Sequence, residues 1–201
     1  MIYIIMADGK GTRWNNYNGI PKHLITIDGE ILLGRTVRLL NEFDPGSKVI
    51  ITSHDKRYEF EGSIRYEPQN NNLEIDRFTS ELIQDNICFI YGDTYYSDDA
   101  IKLIVDKKAD DILFFGNTKS IVAIKVKDSK LFKEHVSRVK YLYQKNEIKN
   151  CKGWQVYQSF QNLEFDKKQI KEKYILINDK TKDYNTPTEY EEEIKECKLK
   201  I

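Results

Sequence analysis

The sequence has few cysteines and no net charge, and each of these two features argues against a class of protein. Cys88, Cys151 and Cys197 lie far apart and never in a Cys-x-x-Cys spacing, which argues against a disulfide framework and against a zinc site. The 32 Lys and Arg residues equal the 32 Asp and Glu residues in number, whereas proteins that bind nucleic acids or membrane surfaces usually carry a basic excess. We therefore expect no nucleic-acid partner and no membrane partner.

Long apolar runs are also missing. The first apolar stretch, residues 2–7, is shorter than a signal-peptide core or a membrane span and leads directly into glycines. Together with the unpaired cysteines, this predicts a cytoplasmic protein. The length of 201 residues fits a single domain over residues 1–201. The 13 Tyr and 9 Phe residues are compatible with a homodimer but do not require one.

Apolar runs of strand length alternate with helical patterns along the chain. The runs are continuously apolar, which is typical of strands buried on both faces. We predict an α/β protein, a three-layer sandwich with a mostly parallel, Rossmann-like central sheet. Strands are predicted over residues 2–7, 49–52, 64–66, 87–91, 112–115, 121–124 and 174–177. Helices are predicted over residues 31–43, 73–85, 97–107, 129–146 and 187–198, the fourth with Leu131, His135, Val139 and Leu142 on one face.

The first predicted strand leads into a glycine loop that carries cations. The chain continues as D-G-K-G-T-R over residues 8–13 and as P-K-H-L over residues 21–24. Glycines let backbone N–H groups approach an anion closely, and Arg13 and Lys22 add full positive charges. This segment therefore predicts a phosphate-binding site.

Two common nucleotide-binding motifs do not fit this loop. A P-loop requires Lys and then Ser or Thr after its last glycine, whereas Gly11 is followed by Thr12 and Arg13. A dinucleotide-binding fingerprint requires a third glycine, where this chain has Trp14, and an acidic residue about 20 positions further on. The nearest suitable acid, Asp55, lies much too far along the chain.

The remaining pattern, G-x-G-T-R followed by P-K-x-L, resembles the signature of the nucleotidyltransferase superfamily, which includes sugar-1-phosphate and MobA-like enzymes. The resemblance implies the nucleotide-diphospho-sugar transferase fold and transfer of a nucleotidyl group from an NTP to a phosphorylated acceptor. It implies catalytic roles for Arg13, at the outer phosphates, and for Lys22, at the α-phosphate. The nucleotide-binding residues that it implies are Ala7, Asp8, Gly9, Gly11, Thr12, Arg13 and Lys22.

Asp8 departs from this family pattern. The family usually has a small residue before the first glycine, and a carboxylate beside a triphosphate is unfavourable unless it points away or contacts the base, the ribose or a metal ion. The residues alone do not explain it.

The resemblance also implies a Mg²⁺ cofactor, for which oxygen ligands are suitable. Asp93 directly follows the strand over residues 87–91 and matches the family's metal-binding aspartate. Asp183 and Asn185 fall in a segment similar to D-[IV]-[ND]-T-P-E-D of MobA-like relatives, and in an extended chain they would point the same way. The same segment is equally typical of a helix start, with Thr186 at the cap and Glu189 in the first turn.

An asparagine-rich turn follows the third predicted strand. Asn70, Asn71 and Asn72 carry donors and acceptors that suit a nucleobase edge, and the turn resembles the one beside the pyrimidine in phosphocholine-type cytidylyltransferases. An ordinary surface loop explains the turn about as well. If it binds a base, the resemblance favours CTP.

The acceptor is predicted from resemblance over the whole chain and not from a motif. The chain as a whole resembles the cytidylyltransferases of capsular polysaccharide modification, which implies L-glutamine phosphate as acceptor and CDP-L-glutamine and pyrophosphate as products. The function of a phosphocholine or sugar-1-phosphate nucleotidyltransferase stays open, as does that of a regulatory module that binds nucleotide without catalysis.

Trp154 is either a core residue or a wall of the acceptor pocket. Candidate partners for the acceptor phosphate are Lys119, Lys125 and Lys140.

Overall fold

The structure is a computed structural model that describes residues 1–165 and 167–198. Strands and helices alternate along it, as the apolar runs predict. The strands are β1 (Ile2–Met6), β2 (Thr26–Ile27), β3 (Glu30–Ile31), β4 (Lys48–Thr52), β5 (Ile64–Tyr66), β6 (Ile87–Tyr91), β7 (Thr94–Tyr95), β8 (Ile112–Gly116), β9 (Ile121–Val126), β10 (Tyr174–Leu176) and β11 (Lys182–Asp183). The helices are α1 (Leu32–Phe43), α2 (Asp98–Asp106), α3 (Ser129–Gln144), α4 (Gly153–Phe160) and α5 (Pro187–Lys198).

Within the described residues, seven strands form the central sheet in the order β10-β8-β9-β6-β1-β4-β5. Strand β1 runs parallel to both β4 and β6, and β10 runs parallel to β8. Strand β9 alone among these seven is antiparallel to its neighbours, β6 and β8. The predicted fold class, α/β with a mostly parallel sheet, is confirmed.

The sheet lies between two layers of helices. Alternate residues of a strand point to opposite faces, and β1 shows this directly. Tyr3 and Ile5 share a core cluster with α1 and α2, whereas Ile4 and Met6 share another with α3 and α4. No helix in the described part of the chain is long and apolar enough to cross a lipid bilayer.

The prediction of one helix over residues 73–85 is wrong. The segment forms two short 3₁₀ helices, Glu74–Phe78 and Ser80–Leu82, separated at Thr79, whose φ of 45° is left-handed. The Asp76 carboxylate accepts hydrogen bonds from the backbone N–H groups of Asn72 and Leu73 at 3.1 and 2.8 Å. This local cap holds a tight turn in place of a longer α-helix.

Helix α4 is absent from the prediction, and its polar residues, Gln155, Gln158 and Ser159, are buried together with its apolar ones. Every residue from Gly153 to Ser159 is buried, so the polar positions of this helix do not form a solvent-exposed face.

Of the face predicted for α3, Val139 is buried, and Leu131 and Leu142 are partly buried against the core. The structure buries Phe132 and Val136 together with Val139, and Phe132 stacks on Phe89.

Lys125 is a core residue and does not reach the surface as a phosphate ligand would. It is 3% exposed, and its Nζ donates to the carbonyls of Ile104, Val105 and Lys107 at 2.6, 3.0 and 2.6 Å. These carbonyls belong to the C-terminal end of α2, where a positive charge is favourable. Burial lowers the pKa of Lys125.

We expect the substitution Lys125→Met to destabilise the protein. It leaves carbonyls at the end of α2 without their partner, and each buried unsatisfied group costs about 1–3 kcal/mol. The free energy of unfolding, measured by urea denaturation, should fall by at least about 2 kcal/mol. Lys127→Met, at an exposed position two residues on, should change it by less than about 0.5 kcal/mol. Equal stability of the two variants would contradict the assigned role.

Candidate active site

A cleft of about 1100 Å³ opens beside the ends of β1 and β6. Met6 and Tyr91 are register partners at the ends of these parallel strands, so the loops that follow them meet at one edge of the sheet. Ligands in open α/β sheets bind at this edge. The predicted site residues that line the cleft are Gly11, Thr12, Arg13, Lys22, Asp93, Asp183 and Asn185.

The glycine loop is a tight turn with free donors. Gly11 has a φ of +58°, a conformation that favours glycine. Its carbonyl accepts hydrogen bonds from the N–H groups of Trp14 and Asn15 at 2.9 and 3.1 Å. In the described part of the chain, the N–H groups of residues 9–13 donate to no protein acceptor. Successive unpaired N–H groups in a turn are a binding site for an anion.

Lys22 and Asp93 form a buried ion pair at the base of the cleft. Each residue is 8% exposed, and Lys22 Nζ donates to Asp93 Oδ2. Burial by itself would raise the pKa of Asp93, but the charge of Lys22, its hydrogen bond and the other positive groups nearby, Arg77 among them, together outweigh burial and hold the pKa below its ordinary value. The pair joins the loop after β1 to the loop after β6.

His23 is held as a neutral side chain. Its Nδ1 lies 3.0 Å from Tyr58 Oη. Burial, and then the positive charge of the neighbouring Lys22, lower the pKa of His23 to about 3. This histidine therefore anchors the short 3₁₀ helix Lys22–Leu24 and does not add a charge to the cleft.

The C-terminal segment supplies the other predicted metal ligands. Strand β11 pairs with β7, which places Asp183 opposite Thr94, one residue after Asp93. Asn185 Nδ2 donates to Asp183 Oδ2 at 2.5 Å, so the two side chains point the same way. Asn185 Oδ1 accepts a hydrogen bond from Arg13 Nη2 at 2.7 Å. The segment thus contacts the glycine loop directly.

The same segment also starts helix α5. Glu189 Oε2 accepts hydrogen bonds from the backbone N–H groups of Asn185 and Thr186 at 2.6 and 2.9 Å. The backbone begins a helix here while the side chains of Asp183 and Asn185 face the cleft. The metal-ligand and helix-start interpretations are therefore compatible.

The donor set suits Mg²⁺ only together with a substrate. Among the described residues, no group of three His, Cys, Asp or Glu side chains could hold a metal ion. Asp93 and Asp183 nevertheless both line the cleft, and Mg²⁺ is usually bound by one or two carboxylates plus substrate phosphates. The residues fit a metal ion that binds with a polyphosphate.

The Asp8 carboxylate has hydrogen-bond partners in two other loops. Its carboxylate accepts hydrogen bonds from the backbone N–H of His54 and from Asn71 Nδ2, both at 2.9 Å. Asn71 Nδ2 also donates to the Asp8 carbonyl at 2.6 Å. The carboxylate therefore ties the asparagine turn to the glycine loop, which explains the departure that the sequence left open.

The three asparagines do not share one environment. Asn71 lies against the glycine loop, whereas Asn70 and Asn72 line a neighbouring cavity of about 880 Å³. Lys140 also lines this cavity, and its Nζ lies 2.6 Å from Asp76 Oδ1. Of the three lysines considered for the acceptor phosphate, Lys119 lines the cleft.

Arg77 also belongs to the cleft, although no motif in the sequence predicts it. It lines the cleft with Lys22 and Asp93, and a Cβ placed on Gly9 would lie 3.3 Å from its guanidinium carbon. Its ion pair with Glu74 is long, 3.9 Å. No local pattern marks this arginine, because its neighbours in the cleft come from distant parts of the chain.

The cleft concentrates positive charge in a chain that is neutral overall. Among the described residues that line it, eight are Lys or Arg and five are Asp or Glu, whereas the whole sequence has 32 of each kind. A cleft lined mainly by one sign of charge attracts ligands of the opposite sign. This arrangement suits a polyanion.

No known family profile matches this chain, and no curated protein sequence matches it. Solved structures share its fold at low sequence identity. UDP-glucose pyrophosphorylase complexed with UDP-glucose superposes with a TM-score of 0.64 at 14% identity, over 100% of this chain and 99% of that chain. CTP:phosphocholine cytidylyltransferase from Streptococcus pneumoniae superposes with a TM-score of 0.57 at 13% identity, over 98% of this chain and 97% of that chain. The inositol-1-phosphate CTP transferase from T. maritima superposes with a TM-score of 0.54 at 12% identity, over 98% of this chain and 96% of that chain.

These likenesses show that the chain has the fold of the nucleotide-diphospho-sugar transferases, as its opening motif implies.

We expect Asp8→Ala to release the asparagine turn. The variant removes the carboxylate, one of the two groups of Asp8 that hold Asn71, and keeps the backbone carbonyl, so amide hydrogen exchange over residues 69–73 should become about tenfold faster. Strand β1 should keep its protection. Asp55→Ala is the matched control, because the Asp55 carboxylate binds Arg57 in its own loop. Unchanged exchange over residues 69–73 in Asp8→Ala would show that the turn is held by other contacts.

Proposed function

We propose that this protein is a Mg²⁺-dependent cytidylyltransferase that transfers CMP from CTP to a small phosphorylated acceptor and releases pyrophosphate. The acceptor we propose is L-glutamine phosphate, giving CDP-L-glutamine for capsular polysaccharide modification. The observation that carries the nucleotidyltransferase assignment is one cleft that combines Gly11 and Thr12, whose N–H groups are free, with Arg13, Lys22 and Asp93. The acceptor assignment rests on the sequence resemblance.

CTP is favoured over other NTPs for two reasons. Asn71 is held beside the glycine loop, where its amide oxygen can accept a hydrogen bond from a base. Structures with this fold include proteins named for CTP, a phosphocholine cytidylyltransferase and an inositol-1-phosphate CTP transferase. A pyrimidine nucleotide is therefore the best-supported donor substrate.

The reaction requires no protein nucleophile. An oxygen of the acceptor phosphate attacks the α-phosphorus of CTP and forms a new P–O bond. The bond from the α-phosphorus to the bridging oxygen breaks, and pyrophosphate leaves with the electron pair. The protein's part is to align the two substrates and to neutralise their charge.

The side chains divide this work by position. Arg13 and the N–H groups of residues 9–13 bind the outer phosphates, and Lys22 binds the α-phosphate after exchanging its contact with Asp93. Asp93 and Asp183 would hold Mg²⁺, which supplies charge neutralisation on the phosphates. Arg77, above Gly9, adds a further positive charge at the same end of the cleft.

Replacing Lys22 with Ala should lower kcat/KM by about 10²–10³-fold, because a preorganised charge at the reacting phosphate is lost. The assay is pyrophosphate release with Mg²⁺, each of the four NTPs, and L-glutamine phosphate, phosphocholine or glucose 1-phosphate as acceptor. Lys102→Ala, an exposed lysine paired with Asp106, should retain wild-type turnover. Full activity of Lys22→Ala would remove the assignment.

The substrate panel separates the competing functions. Release that requires CTP and L-glutamine phosphate supports the full proposal. Release with phosphocholine or glucose 1-phosphate alone keeps the nucleotidyltransferase and rejects the glutamine acceptor. Nucleotide binding without release in any combination would indicate a regulatory module. Addition of EDTA should abolish the release in the active combination, because the triphosphate then loses the metal ion.

Arg77→Ala should raise the KM for CTP by about tenfold or more, since a charge-assisted contact to phosphate contributes roughly 1.5–3 kcal/mol. Arg57→Ala is the control, because Arg57 is exposed and pairs with Asp55 outside the cleft. Equal KM values for the two variants would place Arg77 outside the nucleotide site.

A further inference from the structure

The far wall of the cleft contains two buried polar atoms without a partner. Trp154 and Gln155, in the first turn of α4, are 6% and 4% exposed and both line the cleft. In the described part of the chain, Trp154 Nε1 and Gln155 Oε1 have no hydrogen-bond partner. Buried polar groups are nearly always paired, and an unpaired one costs about 1–3 kcal/mol. Two such atoms in adjacent residues indicate a ligand that completes them.

Neighbouring amides determine which end of Gln155 is unpaired. Gln158 Nε2 donates to the backbone carbonyls of Glu164 and Lys167 at 3.1 and 2.8 Å. Carbonyls only accept, so this group must be the NH₂ end, and Gln158 Oε1 is left to accept from Gln155 Nε2 at 3.2 Å. The unpaired atom of Gln155 is therefore an acceptor, and its ligand must present a donor.

Trp154 has the opposite requirement. Its indole Nε1–H only donates, so the ligand must present an acceptor there. Lys168 Nζ lies over the Trp154 ring, 5.5 Å from its centre, so a cation already occupies the indole face that a trimethylammonium group would use. A trimethylammonium group has no N–H donor and carries a positive charge. Hydroxyl and amide groups provide both a donor and an acceptor.

The two residues lie close to the proposed reaction centre. Helix α4 starts at Gly153 against strand β6, since a Cβ on Gly153 would lie 2.2 Å from Tyr91 Oη. Tyr91 precedes Asp93 by two residues and lines the same cleft. A small ligand with its phosphate near Lys22 would therefore extend towards the first turn of α4.

We propose that Trp154 and Gln155 form the subsite that binds the organic part of the acceptor, and that it selects phosphorylated compounds with hydroxyl or amide groups over phosphocholine. This inference rests on the proposed function, because it uses the same cleft. Both polar atoms are shielded from water in the free chain, so the side chains that cover them must move when the ligand binds.

The indole N–H resonances test the inference without turnover. The sequence has two tryptophans, and Trp14 Nε1 already donates to the Ile20 carbonyl at 2.7 Å, so it serves as an internal reference. L-Glutamine phosphate, glucose 1-phosphate and phosphocholine are added separately to the full chain with Mg²⁺ and a non-hydrolysable CTP analogue. Trp154→Phe assigns the resonances. We expect Trp154 to shift with at least one of the first two compounds and not with phosphocholine.

Gln155→Met provides the second measurement. It keeps the side-chain length but removes the acceptor atom, and it should raise the dissociation constant for the shifting compound, and its KM in turnover, by about tenfold. The KM for CTP should stay within about twofold. Gln144→Met, on α3 in the neighbouring cavity, is the matched control and should match the wild type.

Failure of the inference and failure of the proposed function look different. An unshifted Trp154 with all three compounds, or a shift with phosphocholine as large as with the others, overturns the subsite even if pyrophosphate is released. A Trp154 shift that depends on Gln155, without pyrophosphate release with any NTP, rejects the nucleotidyltransferase and keeps the subsite.

Discussion

Strands β1 and β6 run side by side in parallel, and the site depends on this pairing. Met6 and Tyr91 end at the same edge of the sheet, and the N–H of Gly92 donates to the Met6 carbonyl at 3.0 Å. A Cβ on Gly92 would lie 2.9 Å from that carbonyl oxygen, so the close approach requires glycine. Without this contact, the glycine loop and Asp93 would not face one cleft.

Charge placement follows from the same geometry. Burying Lys22 and Asp93 together is a poor source of stability, because desolvation of two ions offsets most of their attraction. The pair instead holds a cation and a carboxylate at the base of a cleft in which positive charge predominates. A polyphosphate with a divalent cation would complement both members. The arrangement thus favours ligand binding more than it favours folding.

Patterns that are local in the sequence predicted the fold well. The buried strands and helices α1 and α2 follow from apolar runs and amphipathic spacing. The prediction was wrong over residues 73–85, where Asp76 caps a short turn, and it missed α4, which is buried on all sides. It also left Lys125 among the surface candidates, although three carbonyls of the segment that ends α2 surround its ammonium group.

The sequence by itself determined the α/β class and the motif residues, Arg13, Lys22 and Asp93 among them, because each of these is encoded by short-range spacing. Only the tertiary structure decided that Asp8 holds Asn71, that Arg77 lies over Gly9, and which atoms of α4 are unpaired. These contacts join residues that are far apart along the chain. Their partners are set by how the strands align and the helices pack, and no local pattern records that.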